Sequence, residues 1–161
     1  MEFHRYVSGI AEARYAIRKV FRIADEQARA AGLEPLEHQA LLQVYGSSDQ
    51  MLQVSPLAGR LDIAPAFASR VVRQLEDKGY VKRHSSESDR RVTEVRITDA
   101  GRAIVQAIDA DVRVHVEYFQ KQLSPTSKSS ALFIVGFYVG VDLPQDMIDN
   151  VVFGQPRTGA S

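Results

Sequence analysis

Apolar side chains recur at alternating intervals of four and three residues from position 3 to position 31. This spacing places them along one seam of a helix, and Gly32 is suited to end that helix. The seam consists of Phe3, Val7, Ile10, Arg14, Ile17, Phe21, Ala24, Ala28 and Ala31. Because a helix of about 29 residues, at about 1.5 Å per residue, outreaches a small domain, we expect a second subunit to cover the seam.

Proline and glycine mark the ends of three shorter helices in the middle of the chain. Ser55 and Pro56 provide an N-cap and a proline at the first helical position, and Pro65 opens a further helix that Gly79 ends. The helices predicted from these signals cover residues 36–45, 56–61 and 66–78. The last two, joined by a short turn, match the helix-turn-helix pattern.

The second helix of this pair has one apolar face, formed by Ala68, Val71, Val72 and Leu75. Six other side chains point elsewhere and are available to a partner: Ala66, Phe67, Ser69, Arg70, Arg73 and Gln74.

A β-hairpin is predicted after Gly79. The sequence Tyr-Val-Lys-Arg-His forms a plausible strand, residues 85–91 form the turn, and residues 92–97 alternate in a second strand. The tip of this two-stranded wing carries Asp89, Arg90 and Arg91.

Two more helices are predicted in the last third of the chain. Thr98 caps a long helix, and Ser124 followed by Pro125 begins another that contains the apolar run of residues 131–141. Eleven residues are too few to span a bilayer, which takes roughly 20, so we expect no membrane span. Residues 151–161 are predicted to be a loose tail.

Composition and charge narrow the function classes. The chain of 161 residues has zero formal net charge and no cysteine, which excludes disulfides, thiol redox sensing and thiolate metal sites. Residues 60–102 nevertheless hold ten Lys and Arg against seven Asp and Glu. Positive charge is therefore concentrated around the helix-turn-helix and the wing, as nucleic-acid binding favours. No secretory signal is visible, so we expect a cytoplasmic protein.

The stretch from Ser69 to Arg83, the Asp89-Arg90-Arg91 tip, and Val95-Arg96-Ile97-Thr98-Asp99-Ala100-Gly101 together closely resemble the MarR family of bacterial transcriptional regulators. The resemblance covers roughly residues 10 to 140. It implies a mainly α-helical winged helix-turn-helix fold whose long N- and C-terminal helices form a dimer base. On this reading residues 1–34 and 99–150 form the dimerisation region and residues 35–98 the DNA-binding region.

The resemblance also implies a function. Family members are homodimers that bind inverted-repeat operators, often repress, and often release DNA when a small aromatic acid binds. Arg91 or Arg90 is then expected to enter the minor groove, whose narrow form attracts arginine, while Asp89 holds the neighbouring guanidinium. A solvated turn with an incidental surface ion pair is the competing interpretation.

By this resemblance the second helix of the helix-turn-helix, residues 66–78, is the recognition helix. It departs from the family pattern near its start. Ala66 and Phe67 stand where small hydroxyl residues are usual, and neither can hydrogen-bond a base edge. Base reading is then expected from Ser69, Arg70, Arg73 and Gln74, with Arg70 the first choice and Arg73 favouring phosphate. Phe67 either packs on a neighbouring helix or meets a thymine methyl group. Ser55 completes the expected DNA-binding set.

Arg14 is the one charged residue on the apolar seam, where an uncompensated charge is costly. Either it forms an ion pair with an acidic residue of the same or the partner subunit, or it binds the carboxylate of an aromatic effector. Tyr15, His38 and Tyr45 are the other candidate effector contacts.

Three alternatives complete the interpretation. Glu37, His38, Asp111 and His115 could meet at a metal in a metal-responsive regulator, although the four histidines of the chain lie in four different elements and form no ligand pair along one helix. The winged helix could instead serve as a protein-interaction module. No catalytic motif, phosphate-binding loop or cofactor motif is recognisable, so we expect neither an enzyme nor a cofactor.

Overall fold

The computed structural model describes residues 2–86, 88–141 and 144 of the chain. Within these residues the chain order matches the predicted winged helix-turn-helix flanked by long helices, and the predicted fold class is confirmed. The elements are α1 (Glu2–Ala30), α2 (Pro35–Tyr45), β1 (Met51–Gln53), α3 (Val54–Leu61), α4 (Pro65–Asp77), β2 (Val81–Ser85), β3 (Thr93–Ile97), α5 (Asp99–Gln122) and α6 (Pro125–Val139).

The chain forms two compact units. One consists of Met1–Ile23 and Val114–Ser161, and the other of Ala24–Arg113. The predicted division into a dimerisation region over 1–34 and 99–150 and a DNA-binding region over 35–98 is a functional one and stays a prediction. The predicted loose tail over 151–161 lies outside the described residues.

Two glycines end helices as the sequence predicts. Gly32 and Gly79 have φ of 82° and 78°, a left-handed conformation that glycine adopts without strain. The N–H groups of Gly32 and Leu33 donate to the last free carbonyls of α1, and those of Gly79 and Tyr80 do the same for α4. This double hydrogen bond is the Schellman arrangement, which satisfies carbonyls that a helix end leaves unpaired.

The small sheet has three strands rather than the two of the predicted wing. All pairs are antiparallel in the order β1-β3-β2, and Met51 pairs with Arg96 while Gln53 pairs with Glu94. Strand β1 has no counterpart among the predicted elements, because a three-residue strand is too short to show the alternation by which strands are recognised.

The predicted N-cap at Ser55 is wrong. Helix α3 begins at Val54, and Gln53 is the residue before it, with an extended backbone and no side-chain cap. Gln53 is still paired in β1, so the chain turns directly from strand to helix. Pro56 is tolerated in the first turn because N–H groups there have no partner within the helix.

The unit of Ala24–Arg113 encloses one hydrophobic core. Its buried side chains come from the end of α1 and the residues after it, from α2, α3, α4 and the sheet, and from the first part of α5. Leu41, Leu57, Leu75 and Val95 are fully buried. Within the other unit, Ala13 of α1 packs against Phe133 and Ile134 of α6. Each unit is therefore organised by burial of apolar faces, at roughly 1.5–3 kcal/mol for each large side chain buried.

Three large apolar side chains of the predicted seam are exposed in the single chain, whereas Ala28 near its C-terminal end is buried in the core. Phe3, Val7 and Phe21 expose 77%, 44% and 56% of their surface. A cleft of about 430 Å³ next to Phe21 is lined mainly by apolar side chains, among them Phe119 and Leu123. Large apolar patches of this kind mark interaction surfaces.

Gly101 lies where α5 leaves the sheet. A Cβ atom at this position would clash with the carbonyl oxygen of Tyr80 and would lie 2.7 Å from Cγ1 of Ile97. Thr98 fixes the same corner, since its Oγ1 donates to Gly79 and accepts from the N–H of Gly101. The glycine is required here for close approach.

We expect Gly101→Ala to lower the free energy of unfolding by about 1–3 kcal/mol, because the added methyl group forces this corner apart. Urea unfolding followed by circular dichroism measures the change. The matched control is Gly59→Ala in α3, where an added Cβ meets no atom within 4 Å. The control is expected to be stabilised by about 0.4–1 kcal/mol. A Gly101→Ala variant as stable as the wild type would contradict the close approach.

Candidate nucleic-acid interface

One face of α4 is buried and fixes the direction of the opposite face. Ala68, Val71, Val72 and Leu75 expose no more than 2% of their surface, as the sequence predicts. The side chains predicted to point elsewhere are indeed exposed, with Ser69 half-buried: Ala66, Phe67, Ser69, Arg70, Arg73 and Gln74. The second helix of the pair therefore presents hydroxyl, guanidinium, amide and phenyl groups to a partner.

A cleft of about 290 Å³ separates α4 from the wing and brings together four predicted DNA-binding residues, Ser55, Ala66, Ser69 and Arg91. It is lined by Gln53, Val54, Ser55, Pro65, Ala66, Ser69, Arg91, Val92 and Thr93. Gln53 and Thr93 were missed by the sequence analysis because their place depends on the pairing of β1 with β3. Hydroxyl and guanidinium donors around one cleft suit an anionic partner.

The wing tip contains the expected pairing of Asp89 with a neighbouring guanidinium. Oδ1 of Asp89 accepts from the backbone N–H of Arg91 at 2.9 Å and from Nε at 3.3 Å. The Arg91 side chain is 91% exposed, and Arg90 beside it is also exposed. A surface pair adds only about 0–1 kcal/mol to stability, so its main physical effect is to orient the exposed guanidinium.

Phe67 and Arg70 contact each other on the exposed face of α4. The guanidinium carbon of Arg70 lies 5.5 Å from the centroid of the Phe67 ring, which is a cation–π contact. Phe67 remains 42% exposed, so its ring is still accessible to a partner.

A carboxylate connects the end of α4 to the wing. Glu76 accepts the backbone N–H of Arg83 at 3.0 Å and the Arg83 side chain at 2.5 Å. These hydrogen bonds, the backbone one first, hold the pKa of Glu76 below its ordinary value. No local sequence pattern predicts this pair, since the two residues are seven positions apart and belong to different elements.

A second ion pair holds the C-terminal end of α4 to α2. Nζ of Lys78 lies 2.6 Å from Oε2 of Glu37, whose side chain is only 3% exposed, and also donates to the carbonyl of Gly32. Glu37 accepts the N–H of Glu34 as part of a capping box. Breaking a buried pair on one side costs about 3–5 kcal/mol, reduced here because Lys78 is 35% exposed.

The candidate effector contacts fall in both compact units. Arg14 is exposed and donates to the Tyr138 hydroxyl at 3.1 Å, and the Tyr15 ring meets Phe119 edge-on with centroids 6.0 Å apart. In the other unit, Tyr45 accepts from Gln106 at 3.5 Å. A common pocket for Arg14, Tyr15, His38 and Tyr45 stays a prediction.

His38 is buried, and within the described residues its Nδ1 has no hydrogen-bond partner. Burial lowers the pKa of His38 below 6.5, while Asp25 and Asp109 act in the opposite direction. The neutral imidazole is therefore favoured in the folded protein.

No three His, Asp or Glu side chains converge as metal ligands in the described part of the chain, and this includes the predicted group around His38. Over the same residues, no helix is long and apolar enough to cross a membrane.

The sequence resembles known transcriptional regulators. A family model described as MarR family matches residues 31–92. An uncharacterized HTH-type transcriptional regulator of Bacillus subtilis, YdgJ, is 30% identical over 102 residues, covering 63% of this chain and 62% of YdgJ. The HTH-type transcriptional regulator MhqR of Bacillus subtilis is 32% identical over 93 residues, covering 58% of this chain and 63% of MhqR. Each match thus spans less than two thirds of the relative.

The fold is shared with solved structures. Sco3205, a MarR family transcriptional regulator from Streptomyces coelicolor crystallised in complex with DNA, superposes with a TM-score of 0.64 at 24% identity. The match covers 81% of this chain and 86% of Sco3205. At this identity the likeness establishes the fold of the winged helix.

The buried His38 makes stability depend on pH. Below about pH 6.5 the unfolded chain takes up a proton at this residue that the folded chain resists, so the free energy of unfolding is expected to fall as pH decreases from there. His38→Gln removes the titration and should flatten this part of the pH profile, measured by urea unfolding between about pH 5 and 8. His4→Gln, at an exposed position of α1, is the control. An identical acid slope in wild type and His38→Gln would refute the assignment.

Proposed function

We propose, from the premise that this chain belongs to the MarR family of winged helix-turn-helix proteins, that it is a sequence-specific DNA-binding transcriptional regulator. The observation that carries the proposal is the cleft between α4 and the wing, with Ser69 on one side and Arg91 on the other. A cytoplasmic location with access to the chromosome follows from this function.

Each structural feature of the interface has a part in the proposed complex. Helix α4 enters the major groove, where its exposed arginines and Gln74 can donate to base edges and phosphates. The wing tip reaches the adjacent minor groove, and Asp89 keeps the Arg91 guanidinium extended toward it. The DNA complex of Sco3205, which has the same fold, supports this arrangement.

The proposed regulator is a homodimer. The exposed seam of Phe3, Val7 and Phe21 on α1 and the exposed Leu132 and Val139 of α6 provide an apolar surface for a second copy. Two-fold symmetry then requires an inverted-repeat operator whose half-sites are about one helical turn apart.

We further propose that the protein is a repressor and that a small effector releases it from DNA. An aromatic carboxylate would pair with the exposed guanidinium of Arg14 in place of the Tyr138 hydroxyl. Tyr15, His38 and Tyr45 are the other proposed contacts. Binding would change the spacing of the two recognition helices, so that they no longer fit one operator together.

A protein-interaction module is the second candidate for the same scaffold. Such a module does not require an exposed guanidinium at the wing tip, whereas the Arg91 side chain is 91% exposed. This observation favours the DNA-binding proposal. The metal-responsive alternative has no support from the described residues, where no ligand cluster is found.

Selection of the purified protein against random duplex DNA at physiological salt tests the proposed function. Enrichment of an inverted repeat is expected, and it would provide the operator for all further binding experiments. Recovery of no preferred sequence, from protein verified to be free of bound small molecules by mass spectrometry, would favour the protein-interaction module.

Arg91→Ala is expected to weaken binding to the selected operator and to lower the salt slope by about one for each bound subunit, because a cation is lost from the groove. Fluorescence anisotropy at several salt concentrations measures both quantities. Arg29→Ala, which removes the same charge from the end of α1, is the matched control and should leave the slope unchanged. Equal slopes for the wild type and Arg91→Ala would remove Arg91 from the interface.

Arg14→Ala is expected to lower the affinity for an aromatic carboxylate by about tenfold or more, since a charge-assisted hydrogen bond contributes about 1.5–3 kcal/mol. Benzoate and its hydroxylated derivatives are titrated by calorimetry, and the tightest one is compared between variants. Arg29→Ala, at an exposed position in the last turn of α1 and outside the cleft that contains Arg14 and Tyr15, controls for the loss of charge. Full affinity in Arg14→Ala would exclude Arg14 as the carboxylate contact.

A further inference from the structure

Phe67 and Arg70 form one contact unit on the exposed face of α4. They are separated by three positions, which makes them neighbours on a helix surface, and the guanidinium carbon lies 5.5 Å from the ring centroid. The ring is only partly covered, with 42% of the residue exposed. A partner can therefore contact the phenyl ring and the guanidinium at the same time.

The contact restrains Arg70 before any partner arrives. A free arginine side chain samples many rotamers, and stacking on a ring reduces that freedom. The N–H donors of guanidinium lie in its plane, so one face can rest on the ring while the edge remains available. In the major groove such an edge matches the N7 and O6 acceptors of guanine.

Phe67 requires an apolar partner group on the DNA, unlike Arg70. A phenyl ring placed against a polar base edge would remove water without replacing its hydrogen bonds, which is unfavourable. The apolar group that a base pair offers in the major groove is the 5-methyl group of thymine. Successive base pairs are about 3.4 Å apart, so two groups separated by 5.5 Å can contact neighbouring base pairs.

We propose, resting on the DNA-binding function above, that Phe67 and Arg70 read two adjacent base pairs in each half-site. Arg70 hydrogen-bonds a guanine, and Phe67 packs on the 5-methyl group of a pyrimidine in the neighbouring base pair. The affinity for DNA then depends on the 5-methyl group itself. Thymine and 5-methylcytosine satisfy this position, whereas uracil and unmethylated cytosine do not.

The test uses the wild-type protein and the operator selected from random DNA. Each thymine is replaced in turn by deoxyuridine, which removes only the methyl group, and each guanine by 7-deazaguanine, which removes the N7 acceptor. At one thymine position per half-site, replacement by deoxyuridine is expected to weaken binding about fourfold. A guanine in the adjacent base pair should weaken it about tenfold when altered. Placing 5-methylcytosine at the thymine position should restore the methyl-dependent part of the affinity.

Two variants assign these effects to side chains. Phe67→Ala should bind thymine and deoxyuridine operators equally well, whereas Phe67→Leu retains an apolar contact and should still prefer thymine. Arg70→Ala, which leaves no donor to N7, should lose the sensitivity to 7-deazaguanine. Because Phe67 and Arg70 are exposed, circular dichroism should show the same unfolding transition for all variants.

Failure of this inference differs from failure of the proposed function. A protein that selects an operator but tolerates deoxyuridine at every thymine would overturn the methyl reading alone. So would the same preference for thymine in wild type and Phe67→Ala. A protein that selects no sequence at all would overturn the proposed function and this inference with it.

Discussion

Burial of one side of α4 is the constraint on which the candidate interface depends. Ala68, Val71, Val72 and Leu75 expose at most 2% of their surface, and rotating the helix would bring them into water. At roughly 0.8 kcal/mol for each buried CH₂ group, even a modest rotation is unfavourable. The core therefore directs the opposite face of α4 outward, including Ser69 and Arg70. This orientation requires no contacts made by the outward-facing side chains themselves.

Ion pairs and one close approach then connect α4 to its surroundings. Lys78 and the buried carboxylate of Glu37 hold the C-terminal end of the helix to α2. Glu76 holds Arg83 at the base of the wing, and Gly101 lets α5 lie directly against the carbonyl of Tyr80. Together these contacts link α4 to the elements around it, including the wing. Both proposed groove contacts, one on α4 and one on the turn at the wing tip, therefore belong to the same compact unit.

Signals confined to neighbouring residues were read correctly from the sequence. Gly32 and Gly79 ended helices where predicted, and Ser124 accepts the N–H of Ser127 as an N-cap. The prediction at Ser55 was wrong because the pairing of Gln53 with Glu94 lies outside any local window. The same pairing created a third strand and placed Gln53 and Thr93 in the cleft.

The sequence by itself determined the helices, the wing hairpin, the buried face of α4 and the pairing of Asp89 with a neighbouring arginine. These follow from periodicity, from capping residues and from side chains two positions apart, which the covalent chain keeps close together. Only the tertiary structure decided the third strand, the Glu76–Arg83 and Glu37–Lys78 pairs, and the residues that line the cleft. These depend on strand register and on helix packing between distant segments, and no local pattern of side chains records such distances.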